Sequence, residues 1–373
     1  MRILVACDAF KGSLSAQQAC RTVASGISAV EPDWRLTSVP LADGGEGTAE
    51  ILVAAAGGSW VEVPDVMGPL PEMTLTAAYG CLEQRRAAVV EMARSSGLVL
   101  LRGDQRHPLQ TTTYGAGQLL SAAIKSGVTH VLLTLGGSAT VDGGTGAVRA
   151  LGWRFLDAGG KDIPLGGGGL IHLQRIVPSS LSLPRITVLC DVTNPLCGPQ
   201  GAAQIFAPQK GATPAQVAML AEGLENLARR IKDQLGIDVA HLPGGGAAGG
   251  FGAGAQVFMG GRLIPGVSAV MEQVQFERQL GQADWVITGE GCLDRTSLQG
   301  KVVSGVLDAA RRQGVPVAVL AGQIRLTAEE LQQAGIRHAV AAMPQDMPLD
   351  EALTRAPELL GKAARSLSAR MHG

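Results

Sequence analysis

Several apolar runs in this chain end in a tight cluster of glycine with Asp, Glu, Ser or Thr. Ile3–Cys7 runs into Asp8-Ala9-Phe10-Lys11-Gly12-Ser13, and Leu36–Ala42 into Asp43-Gly44-Gly45-Glu46-Gly47. Val131–Leu135 leads into Gly136-Gly137-Ser138-Ala139-Thr140-Val141-Asp142-Gly143-Gly144, and Ile186–Cys190 into Asp191-Val192-Thr193-Asn194. Trp285–Thr288 leads into Gly289-Glu290-Gly291-Cys292-Leu293-Asp294. A short β-branched run followed by such a turn has the form of the carboxyl end of a parallel strand, where open α/β sheets bind ligands. Glycine lets bare backbone N–H groups approach phosphate oxygens, and carboxylates nearby can hold Mg²⁺. The pattern points to an α/β enzyme that handles phosphate.

The two ends of the chain alternate strand and helix. After Ile3–Cys7, a helix is predicted from Ser15, where Ser15 and Gln18 have capping-box spacing and Ala19, Val23, Ile27 and Val30 share one face. Strand Leu36–Leu41, a helix over Thr48–Ala56 and strand Trp60–Val63 complete a β-α-β-α-β unit. Toward the C-terminus come strand Trp285–Thr288, helix Val302–Gln313 and strand Val315–Leu320. A helix capped at Thr327, strand His338–Ala342 and a final helix from Asp350, with Pro357 in its first turns, follow. Between these ends lie hairpin-like pieces (Met73–Tyr79, Ala88–Met92, Trp153–Leu156), Gly-rich turns and one long helix from Thr213-Pro214 to Gly236. The expected architecture is two-domain α/β. A discontinuous flavodoxin-like parallel-sheet domain (1–64 and 281–373) carries an inserted second α/β domain (65–280).

Composition removes several function classes. Hydrophobic residues are 46% and charged ones 17%, so the chain is globular. A net charge of −1 and 3% aromatics lack the basic face and stacking rings that nucleic acid would want. The six cysteines show neither C-x-x-C nor zinc-like spacing. The longest uncharged stretch, Leu242 to Gly261, is too rich in Gly for a membrane helix, and no signal-peptide pattern follows Arg2. A soluble, cytoplasmic protein with a small-molecule substrate is expected, and a homo-oligomer stays possible.

The motifs narrow the chemistry further. No G-x-x-x-x-G-K-[ST] is present. Gly244–Gly249 fits G-x-G-x-x-G, yet Pro243 spoils the strand before it, and close backbone packing before a helix over Gly252–Met259, or a phosphate-facing turn, is the better reading. Gly136–Ser138 resembles a nucleophile elbow, but Thr140 stands where the last Gly should be, and all six histidines lie outside the Gly/Asp clusters. Two readings of Gly136–Gly144 stand level: an anion nest with the Ser138 and Thr140 hydroxyls, or a Gly-rich turn whose Asp142 caps the next helix. Asp8, Asp43, Asp191 and Asp294 each follow a strand end, where a lone Asp is usually a turn or cap residue. Several in equivalent positions would converge on one crevice, the set phosphoryl transfer needs. Lys11 with Ser13 supplies the best-placed cation; Lys210, Lys301 and Arg295 are weaker ones.

At these residues the chain resembles the bacterial glycerate kinases that phosphorylate the 2-hydroxyl. The matching stretches include Asp8–Ser13, Ala42–Thr48, Thr111–Gly115, Gly136–Gly144, Cys190–Gly198, Pro208–Ala212, Gly246–Gly250 and Gly289–Gly291, in family order and spacing. Cys7 and Ala9 stand where the family more often has Pro and Ser. Cys292 replaces an Arg that usually follows Gly-Glu-Gly, and Arg295 follows Asp294 where a small or polar residue is commoner. The resemblance implies ATP with Mg²⁺ and D-glycerate as acceptor. ATP is then expected across the cleft between the domains, on Lys11, Ser13, Gly136, Gly137, Ser138, Thr140, Asp142, Gly143 and Gly289. Asp43, Glu290 and Asp294 are the Mg²⁺ candidates, and Asp191 is the base that orients the acceptor hydroxyl. Asp8, Lys210 and Arg295 are the expected contacts to glycerate. Two other classes stay open: an NAD(P)-dependent hydroxy-acid oxidoreductase, and a nucleotide-binding module without catalysis.

Overall fold

Apolar strands that alternate with amphipathic helices can bury both faces only in a parallel sheet. The computed structural model, which describes residues 1–82 and 86–372, contains such a sheet. It comprises β1 (Arg2–Cys7), β2 (Arg35–Ser38), β11 (Trp285–Leu293), β12 (Val317–Ile324) and β13 (Ile336–Ala341), all parallel, in the order β13-β12-β11-β1-β2. Numbered within this sheet alone, the order is the flavodoxin-like 2-1-3-4-5. Ile3, Val5, Ile287 and Leu320 pack with Val23, Ile27, Leu360 and Leu367 from flanking helices. The helix Ala16–Ser28 starts as its sequence requires, with the Ser15 hydroxyl accepting from the Gln18 amide and the Gln18 side chain accepting from Ser15 N.

Connections from β1 and β11 run in opposite directions, so the topological switch point lies between them. Register places predicted site residues there. Cys7 pairs with Gly289, and Asp8 N donates to the Gly289 carbonyl at 2.8 Å. On the other side, Leu41 N donates to Cys7 O at 3.0 Å, which leads the chain to Asp43 alongside.

The second sheet comprises β3 (Ser59–Met67), β4 (Thr74–Leu82), β5 (Ala87–Glu91), β6 (His130–Thr134), β9 (Arg185–Leu189) and β10 (Arg262–Ile264), in the order β10-β9-β6-β5-β4-β3. Strands β5, β6, β9 and β10 are parallel, and β3 and β4 add an antiparallel edge. A separate ribbon joins β7 (Arg154–Leu156) to β8 (Arg175–Val177). Val90, Leu119, Leu133, Phe155, Val188 and Phe251 belong to this unit's core. The carboxyl ends of β5, β6 and β9 present Glu91, Gly136–Ser138 and Asp191 on neighbouring strands.

The two units are Met1–Asp43 with Val267–Gly373, and Gly44–Gly266. The borders thus fall earlier than the expected 64/65 and 280/281. Trp60–Val63 is not a strand of the first sheet: β3 pairs antiparallel with β4, an affinity that only tertiary partners decide. The final helix expected from Asp350 is two helices, Leu349–Thr354 and Ala356–Arg370, with Pro357 opening the second, where its missing N–H does no harm. The Gly244–Gly250 run serves close packing. A Cβ at Gly249 would lie 2.0 Å from Thr140 O, and one at Gly246 2.3 Å from Pro195 O. Among the described residues, no helix is long and apolar enough to cross a membrane.

Candidate active site

In the first unit, neighbouring strand ends bring Asp8, Asp43 and Glu290 within reach of each other's charge. Burial, and then the Asp43 charge, push the Asp8 carboxyl up to about 7; Glu290 adds to the rise, while the Ala9 N–H and Lys11 oppose it. Glu290 is also raised, first by burial, with the Ser297 hydroxyl and Lys301 opposing. Its Oε1 is buried with no hydrogen-bond partner among the described residues. Asp294 stands apart in kind. Its Oδ1 accepts from Thr296 Oγ1 at 2.7 Å, Thr296 N at 2.8 Å and Ser297 N at 3.3 Å, so it caps its own turn and is held low by those donors. No three Asp, Glu, His or Cys side chains among the described residues are grouped to chelate a metal by themselves.

Among the other predicted residues of this unit, Ser13 and Gly289 make local structural contacts. The Ser13 hydroxyl donates to Phe10 O at 2.9 Å, closing the first loop. Lys11 is exposed. Gly289 lies inside the sheet, where a Cβ would come 2.0 Å from Leu320 O, so its missing side chain serves strand packing. Arg295 points outward and pairs with Glu330 at 2.8 Å, an exposed ion pair of small energetic weight. Cys292, beside Glu290, forms no disulfide.

In the second unit, the Gly136–Gly144 stretch divides into two parts. Its second half is a turn built on Asp142, which is wholly buried. The Asp142 carboxylate accepts from Thr113 N (2.8 Å), Thr113 Oγ1 (2.9 Å), Gly144 N (3.1 Å) and Gly146 N (3.3 Å). It therefore caps the helix Thr145–Ala150 and ties it to the start of the helix Tyr114–Lys125. Burial raises its pKa against the pull of these donors. Gly143 N donates to Gly249 O at 3.0 Å, and the Thr140 hydroxyl is buried without a partner among the described residues. This half works as a cap, the second of the two readings its sequence allows.

The first half differs. A Cβ at Gly136 would lie 2.3 Å from Gly45 Cα, so the turn after β6 packs backbone to backbone on the Gly44–Gly47 loop. Gly137 has φ +73°, a conformation that favours glycine, and its carbonyl accepts from Leu98 N at 2.8 Å. The Gly137 and Ser138 amides have no acceptor among the described residues. Lys210 ends a short turn, Pro208–Lys210, and is 3% exposed. Its Nζ donates to Ser138 Oγ and to Thr140 O, both at 2.7 Å. Burial lowers its pKa to about 7, and Asp142 partly restores it. One strand over, the Asp191 carboxylate accepts from Gly266 N at 2.9 Å through Oδ1.

One residue of this edge escapes the sequence reading. Glu91 ends β5, is 3% exposed, and accepts from Gly47 N at 3.3 Å and Ala49 N at 3.1 Å, so it caps the helix Thr48–Ala55 from another strand. Its signal is the one that marked Asp8: an apolar run, Ala87–Val90, ending in a carboxylate. Met92 follows it instead of glycine, and that hid it.

The glycerate kinase family model matches residues 3–372. A glycerate kinase of Halalkalibacterium halodurans is 44% identical over 98% of this chain and 97% of its own length. The glycerate 2-kinase of Escherichia coli K12 is 40% identical, covering 99% and 97%. A Salmonella typhimurium LT2 crystal structure assigned to glycerate kinase 2 superposes with a TM-score of 0.84 at 42% identity, over 100% of this chain and 98% of that one. Turn chemistry, sheet order and near full-length likeness agree, and the chain belongs to the glycerate kinase family.

Proposed function

We propose that this protein transfers the γ-phosphate of ATP to the 2-hydroxyl of D-glycerate, giving 2-phosphoglycerate and ADP. The likeness to a glycerate 2-kinase over nearly the whole chain carries this reading. The physical chemistry of each unit supports it. Phosphoryl transfer is mainly positioning and charge stabilisation, and it calls for acidic groups for a cation, donors for phosphate oxygens and a carboxylate at the acceptor hydroxyl.

The first unit suits a divalent cation. The Asp43 charge raises the pKa of both Asp8 and Glu290, and a buried Glu290 oxygen lacks a hydrogen-bond partner among the described residues, so the cluster is short of positive charge. Asp43 and Glu290 are the proposed Mg²⁺ holders, with Asp294 less suited because its turn already occupies Oδ1. Such an ion commonly takes one or two protein carboxylates plus phosphates and water, and it would neutralise charge on the β- and γ-phosphates. Asp8, in the same cluster, is the proposed contact to glycerate. Lys11 adds an exposed cation to the same loop.

In the second unit the Gly137 and Ser138 amides and the Ser138 hydroxyl form the proposed anion site. Asp191 is the proposed base, because Gly266 N fixes the carboxylate at the end of a central strand. The test is a coupled assay with ATP, Mg²⁺ and D-glycerate, adding enolase without phosphoglycerate mutase. Immediate phosphoenolpyruvate is expected. A requirement for mutase would move the phosphate to the 3-position, and ATP binding without any product would leave a nucleotide-binding module.

A further inference from the structure

We propose that Lys210 is a positioning residue, which holds Ser138 so that the serine hydroxyl donates its hydrogen to an anionic oxygen of bound substrate. The inference rests on the kinase reading above and adds to it a role for a residue that touches no substrate. Sequence pattern alone makes Lys210 a direct partner for the glycerate carboxylate. The structure buries it beneath the turn, 72 positions from Ser138 in sequence, with both of its acceptors, Ser138 Oγ and Thr140 O, supplied by protein.

The argument is one of hydrogen-bond counting. When Lys210 carries its proton, the ammonium group has donors and no lone pair, so at 2.7 Å the Ser138 oxygen is the acceptor. The hydroxyl hydrogen is thereby left for another partner, and Ser138 has no acceptor of its own among the described residues. The Gly137 and Ser138 amides are in the same condition. Three donors on two consecutive residues thus lie at the carboxyl end of β6, one strand from Asp191. A charged donor behind the hydroxyl polarises it and strengthens the bond it makes in front. Satisfying Thr140 O alone would not call for a cation, because a neutral donor does this without the desolvation that burying lysine entails. Were Lys210 a neutral amine, the serine could point its hydrogen back at Nζ and lose its donor role.

The anionic oxygen belongs either to a phosphate of ATP or to the glycerate carboxylate, and the experiment separates them. Ser138→Ala, Ser138→Thr, Lys210→Met and the Ser138→Ala/Lys210→Met double variant are assayed with each substrate varied in turn. Binding of ADP and of D-glycerate is measured by calorimetry on the same proteins. Ser138→Ala should raise KM and Kd about 10- to 100-fold for one ligand class only, the range of one hydrogen bond to a charged group. ATP and ADP respond if the partner is phosphate; D-glycerate responds if it is carboxylate. Ser138→Thr, which keeps the hydroxyl, should restore most of the loss. Lys210→Met should raise the same constant, and far less in the Ser138→Ala background than in the parent.

Constants within twofold of the parent for Ser138→Ala would overturn the proposal. So would an undiminished Lys210→Met effect in the double variant, which would make the lysine purely structural. If Lys210→Met does not fold, the contrast of Ser138→Ala with Ser138→Thr decides, and equal losses in both refute the donor role. A parent protein that binds and turns over neither ligand would instead remove the kinase reading, and this inference with it.

Discussion

Glu91 should be a stability liability whose size depends on pH. Burial, followed by repulsion from Glu50, pushes its carboxyl to about 7 from an ordinary 4.5, despite the opposing Ala49 and Gly47 N–H groups and Arg94. Between those two values the folded protein keeps a proton that the unfolded chain has already lost. Stability therefore falls as pH rises from about 4.5 to about 7, and stays at the lower level above that. A difference of 2.5 pH units at about 1.4 kcal/mol each corresponds to about 3 kcal/mol. Glu91→Gln keeps the shape and removes the titration. The amide loses one of two acceptors for the Gly47 and Ala49 N–H groups, a constant offset of about 1–3 kcal/mol that does not vary with pH. Urea unfolding of both proteins from pH 4.5 to 8 is the assay. Trp34 and Trp285 are replaced by Phe, so that Trp60 and Trp153 report on Gly44–Gly266 alone. The variant should gain about 3 kcal/mol on its parent across that range. Parallel stability curves would refute the assignment of a raised pKa to Glu91.

Two further outcomes follow from the same edge of the sheet. Asp191→Asn should lower turnover by about 10²-fold or more, the scale general base catalysis supplies, with KM for ATP little changed; near-normal turnover would remove Asp191 from that role. Asp142→Ala should lose at least about 3 kcal/mol in urea unfolding, because Thr113, Gly144 and Gly146 would each keep a buried N–H without its acceptor.

Local chemistry accounts for what the sequence made legible. Helix starts at Ser15 and Thr327 are written in residues three positions apart, and the one at Thr213 in the proline that follows it; capping boxes form at all three. The first sheet's order follows from strand–helix alternation at the two ends of the chain. Its border was not legible, since β3 belongs with β4 through pairing that no short window reveals. The site shows the same limit. Asp8 and Asp294 look alike as acidic residues after an apolar run, yet neighbouring strands crowd carboxylates around one, while the other caps the turn Arg295–Leu298. Lys210 and Lys11 look alike as lysines beside glycine. Only packing tells that one is buried against Ser138 and the other exposed.

The long excursion between β2 and β11 bears on how this protein is born. Arg2 and Asp284, an exposed ion pair at the start of the adjacent strands β1 and β11, lie 282 positions apart. A ribosome adding about 5–20 residues per second needs on the order of tens of seconds to cover that stretch. Through that time β1, with five of its six residues buried in the finished sheet, has no β11 to pair with. Gly44–Gly266 emerges as one contiguous unit and can fold in the interval. Among the described strands, β1 is thus the one that waits longest for a neighbour in its sheet.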